Sequence, residues 1–83
     1  MNKKARPLKE IANEILLNWK KPSEYAMPYI KAMATLDTVD DHYMWDTGKD
    51  VVMYFLANSA LWQGEKADAI KKELKKIVGL YAP

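Results

Sequence analysis

A chain of 83 residues, 49% hydrophobic and 29% charged, holds one globular domain and no more. Thirteen Lys and Arg against eleven Asp and Glu leave a formal charge of only +2, which argues against a dedicated nucleic-acid domain. With no cysteine, disulfides, thiolate metal sites and cysteine nucleophiles are excluded, in keeping with a reducing cytosol.

Residues 1–6 form a basic stretch, expected to be a loose tail, and residues 7–83 are expected to form a single helical domain. No apolar segment follows the basic start, and the longest apolar run, Val51 to Ala57, is far short of a membrane span. The expected location is therefore cytoplasmic, away from any membrane. Pro7 suits a helix start. Leu8, Ile11, Ala12, Ile15, Leu16 and Trp19 recur at helical spacing and predict one buried face. Leu17 projects to the opposite, polar side. Lys20 and Lys21 favour the C-terminal end of this helix, and Pro22 ends it near Lys21.

A second helix is predicted from Ser23 or Tyr25 to Leu36, with Ser23 as N-cap, Pro28 near its start, and Ala26, Tyr29, Ile30, Met33 and Leu36 on its apolar face. The stretch from Asp37 to Gly48 is the least regular: Asp37, Asp40, Asp41 and Asp46 alternate with Val39, Tyr43, Met44 and Trp45, and both turns and a short helical turn fit it. Asp46 or Thr47 caps a third helix that runs to Ala60 or Trp62. Its residues Val51 to Ala57 and Ala60 to Trp62 are apolar on nearly every side, which predicts a central, buried helix. A strand over Val51 to Leu56 is the alternative, but the chain offers no partner strand. A fourth helix starts at Glu65 and stops at Gly79, with Ala67, Ile70, Leu74, Ile77 and Val78 on one arc and Lys71, Lys72, Lys75 and Lys76 opposite. The expected fold is all-α, a compact bundle of about four helices around the third. If the other three do not cover that helix, a second copy would, in a homodimer.

From Tyr54 to Ala67 the chain reads YFLANSALWQGEKA, and from Pro28 to Met33 it reads PYIKAM. These segments resemble small uncharacterised helical proteins of Gram-positive phages and integrative mobile elements, which share an aromatic-rich helix, a Trp-x-Gly-Glu junction and a Lys-rich last helix. The resemblance covers most of residues 8–78. It implies no catalytic activity. It implies a setting, accessory genes of mobile elements, where small helical proteins bind and block host proteins, anti-CRISPR proteins among them.

Catalytic motifs fail on their physical requirements. Asp46-Thr47-Gly48 has the aspartic-protease triplet, but that chemistry needs two carboxylates sharing a proton. Gly48-Lys49 lacks the upstream glycine of a phosphate loop and the strand before it. His42, Asp46 and Asp50 stand at i, i+4 and i+8, a ligand face only if one helix ran through Gly48. Asp37, Asp40 and Asp41 lack the central glycine of a calcium loop. No enzyme, cofactor or metal is expected. Trp19 and Trp62 fall on apolar arcs and read as core, whereas Trp45 lies in the irregular acidic stretch with Tyr43 and Met44 and is the tryptophan expected to be partly exposed. The expected function is therefore a non-enzymatic protein-binding module whose unidentified protein partner is met by Asp40, Asp41, Tyr43, Trp45 and Asp46. The alternative is a small nucleic-acid-binding protein that uses Lys71, Lys72, Lys75 and Lys76 with the basic tail; Asp68 and Glu65 on the same helix weigh against it.

Overall fold

The structure, a computed structural model, describes residues 5–80. Four helices are present: α1 (Leu8–Asn18), α2 (Met27–Met33), α3 (Gly48–Ala57) and α4 (Glu65–Ile77). Between α2 and α3 lies a small antiparallel hairpin, β1 (His42–Tyr43) and β2 (Asp46–Thr47). The fold is thus largely helical rather than purely all-α. The first four residues of the expected tail lie outside the described residues.

The first helix has no side-chain cap, because Pro7 occupies the N-cap position. Its free N–H groups are satisfied by tertiary structure instead: Leu8 donates to the Asp37 carbonyl at 2.9 Å and Lys9 to that of Leu36 at 2.8 Å. Lys9 also pairs with the Asp37 carboxylate at 3.0 Å. The stripe Leu8, Ile11, Ala12 and Ile15 is buried as its spacing predicts, while Leu16 stays exposed and Leu17, on the polar side, is 80% exposed. The helix ends at Asn18, earlier than Pro22 would impose, since Trp19 turns to extended geometry. Lys20 and Lys21 therefore lie beyond the last turn. The extended Trp19 stacks on Trp62, centroids 5.5 Å apart and planes within 7°, and Phe55 sits edge-on to both rings at 6.4 Å. Such rings bring large apolar area and a preferred geometry, so this cluster ties the end of α1 to α3 and to the loop before α4.

The second helix is shorter than predicted at both ends. Ser23 does act as a cap, but of the turn before the helix, where its hydroxyl accepts from Ala26 N–H at 3.1 Å. Pro28 lies in the first turn, where its missing N–H costs nothing. Ala26, Ile30, Met33 and Leu36 are buried and Tyr29 is half-buried, as the spacing predicts.

Thr47 and Asp50 form a reciprocal capping box at the start of α3. Segment 51–56 is helix, not strand. It is not encased, however. Val51, Val52 and Phe55 are buried, but Met53 and Tyr54 reach solvent, and the helix stops at Ala57, leaving Leu61 80% exposed in the following loop. Asn58 and Ser59 end it by donating their side chains to the carbonyls of Tyr54 and Leu56, an apt use of short polar residues that compete with helical backbone bonds. The fourth helix starts at Glu65 and is stopped at Gly79, as predicted. It closes with Gly79 at φ 81°, Leu80 N–H donating to the Lys75 carbonyl and Gly79 N–H to that of Lys76, the paired bonds of a Schellman motif.

In the assembled domain α1 packs on both α2 and α4, α2 packs on α3, and the hairpin packs on α3. Arg6, expected in the loose tail, is instead a clasp: its guanidinium meets Glu73 of α4 in two hydrogen bonds, 2.9 and 2.7 Å, and Glu14 of α1 at 2.8 Å. Bidentate arginine–carboxylate geometry of this kind is the strongest form of ion pair.

Candidate functional site

Residues 37–50 use their acids in two ways. The Asp41 carboxylate accepts from the backbone N–H of Asp37 and Thr38, at 2.9 and 3.0 Å, and fixes the turn that leads into β1. The Thr38 bond, then that of Asp37, holds its carboxyl below the usual carboxylate range. Asp50 serves in the capping box and Asp37 pairs with Lys9. Asp40 and Asp46 have no side-chain partner among the described residues.

The hairpin is registered His42 to Thr47 and Tyr43 to Asp46, which leaves Met44 and Trp45 as the two turn residues. Met44 has φ 57°, a left-handed conformation that glycine takes freely and other residues take at a cost of about 1 kcal/mol or more. Both turn side chains point away from the domain: Trp45 is 92% exposed and Met44 75%. Tyr43 folds back towards α2, where it closes an open groove of about 590 Å³ with Pro22, Glu24, Met27, Pro28 and Lys31. The spacing of Glu24, Met27, Pro28 and Lys31 puts them on one side of α2 and the turn before it.

The five predicted partner-binding residues therefore divide. Tyr43, Trp45 and Asp46 share the hairpin, Asp40 stands just before it, and Asp41 holds the segment's shape. Met44 and the groove also belong to this surface. Met44 gave no signal, because a turn with a positive φ is normally announced by Gly or Asn. The groove joins Tyr43 to residues 12 to 21 positions earlier in the sequence, which no local pattern reveals.

The other motifs resolve into structure. Asp46-Thr47-Gly48 is the end of β2 and the cap of α3. His42, Asp46 and Asp50 fall on β1, β2 and α3 rather than on one helix, and no group of three or more potential metal ligands occurs among the described residues. On α4, Lys71 is not a solvated member of a basic face. It is half-buried and donates to the Trp62 carbonyl, and burial lowers its pKa from the ordinary lysine value. Lys72, Lys75 and Lys76 are exposed. No helix among the described residues is long and apolar enough to cross a membrane. Comparison of the chain with protein-family models, curated proteins and solved structures found no match.

Proposed function

We propose that this chain is a non-enzymatic protein-binding module that presents the 42–47 hairpin to a protein partner, in the manner of an accessory protein of a phage or mobile element that modulates or blocks a host protein. The observation that carries the reading is Trp45, held 92% exposed on a two-residue turn, where no other described residue covers it. Tryptophan is costly to leave in water and is the residue most enriched among interface hot spots. A methionine rather than a glycine at φ 57° adds a second exposed apolar group at the tip, at a conformational cost the fold absorbs. Asp46 follows this tip and Asp40 precedes the hairpin, and neither carboxylate has a side-chain partner among the described residues, so the fitting partner surface is an apolar cleft with lysine or arginine at its rim.

The test is a comparison rather than a capture alone. Proteins retained from the native host by the wild-type chain and by a Tyr43→Ala/Trp45→Ala variant are identified by mass spectrometry. One retained by the wild type only is purified and titrated against both. Binding weakened on the order of 100-fold in the variant is expected of a hot-spot pair. A purified partner that binds both proteins equally would remove the hairpin from the interface.

A further inference from the structure

Tyr43 joins the hairpin to the groove beside α2, so the two lie next to each other on the surface. The groove floor is apolar, made by Pro22, Met27, Pro28 and the Tyr43 ring, with Lys31 on its wall and Glu24 as its one acid. Lys20 and Lys21, both exposed on the bend that leads into Pro22, add further positive charge at its edge. The hairpin next to it offers the complement: the exposed indole of Trp45, followed by Asp46, whose carboxylate has no side-chain partner among the described residues. Tyr43 belongs to both halves, since it lines the groove and pairs with Asp46 across the hairpin. Plug and socket are thus contiguous on one face, which is what a twofold contact between identical chains requires.

We infer that the occupant of the groove is Trp45 of a second copy, in a twofold homodimer in which each hairpin seats on the other chain's groove and Asp46 of each copy meets Lys31 of its partner. The inference rests on the hairpin being an interaction surface, and it names a second copy as one protein that surface takes. The contact differs from the expected one over the third helix, since it is made by the hairpin and the groove beside α2. Two indoles and the two grooves that receive them bury on the order of 1,000 Å², at the lower edge of specific interfaces, so the dimer is a weak one.

Sedimentation velocity on the full chain from about 10 µM to about 1 mM reads the association directly. The mass is expected to rise from one chain towards two. Trp45 is the one exposed tryptophan, with Trp19 and Trp62 buried, so its emission shifts to the blue over the same range. Trp45→Ala should stay monomeric. Asp46→Lys and Lys31→Glu should each weaken association about tenfold, and the two combined should restore it to within about threefold of the wild type, because the swapped charges face each other again. A single monomeric species at all concentrations, a dimer that survives Trp45→Ala, or a double variant as weak as the single ones would each overturn the inference. If the chain stays monomeric while a captured host protein still requires Tyr43 and Trp45, the homodimer falls and the proposed function stands. If the dimer behaves as described and no host protein distinguishes the variants, the inference stands and the proposed function falls.

Discussion

Replacing Gly48 by alanine separates local propensity from tertiary packing, because the two predict opposite signs. Gly48 opens α3, and helix propensity alone makes Ala the better residue there by about 1 kcal/mol. The structure opposes this. A Cβ at position 48 would stand 2.6 Å from the Thr38 carbonyl oxygen and 2.8 Å from Val39 Cα. Both are backbone atoms, so no side chain can swing aside. Two hydrogen bonds hold the segments together at this point, Gly48 N–H to the Asp41 carbonyl at 2.7 Å and Lys49 N–H to that of Val39 at 3.0 Å. Making room for the methyl pushes the 38–41 turn away and strains or breaks one of them. Overpacking costs about 1–3 kcal/mol and a lost hydrogen bond about 1 kcal/mol; less the propensity gain, Gly48→Ala should destabilise by about 2 kcal/mol. For a domain of this size that lowers Tm by roughly 8–16 °C. Urea denaturation followed by circular dichroism should show a lower midpoint with an unchanged slope. Gly79→Ala is the control: among the described residues other than its chain neighbours no atom lies within 4 Å of where its Cβ would stand, and its φ of 81° alone should cost about 1 kcal/mol. A Gly48→Ala protein as stable as the wild type would refute the close approach on which this reasoning depends.

Phe55→Ala removes the ring that meets both Trp19 and Trp62, and a loss of about 3–5 kcal/mol is expected, most of the stability of so small a domain; retained cooperative melting near the wild-type temperature would contradict the aromatic cluster. Arg6→Met should cost about 1 kcal/mol at neutral pH, a figure reduced for the partial exposure of the clasp, and the cost should shrink as salt is raised. The same variant has a pH signature. Glu14 is held below its ordinary value of 4.5, first by the hydrogen bond from Arg6. A carboxyl depressed in the folded state stabilises above its unfolded pKa and ceases to do so as pH falls through the folded value, so wild type and variant should converge as pH falls below the ordinary value of 4.5. A gap that widens on acidification would contradict the assignment. Met44→Gly relieves the left-handed turn residue and should raise stability by about 0.5–1 kcal/mol while weakening association through the hairpin; a less stable variant would mean that the methionine side chain, not the turn geometry, governs this site.

Much of this molecule is legible along the chain wherever neighbours in sequence settle the outcome. The helical stripes of α1 and α4, the Thr47 cap, the Gly79 stop and the exposure of Trp45 all follow from periodicity and from short-range hydrogen-bonding chemistry. The Asp37–Gly48 stretch was readable as irregular and acidic, but not as a hairpin. Its strands are two residues each, too short for a period, and its turn has Met44 where the chemistry of such turns calls for glycine.

What tertiary structure alone decided has one physical origin: groups distant in the chain compete for the same partners. Carbonyls at Leu36 and Asp37 cap α1 in place of the side chain its sequence lacks. Stacking against Trp62 draws Trp19 off the helix before Pro22 can end it. Glu14 and Glu73 recruit Arg6 out of a segment that by itself reads as a basic tail. The apolar circumference of α3 announced that its residues avoid water, but which of them succeed was set by how much surface the neighbouring elements could cover, so Phe55 is buried and Tyr54 is not.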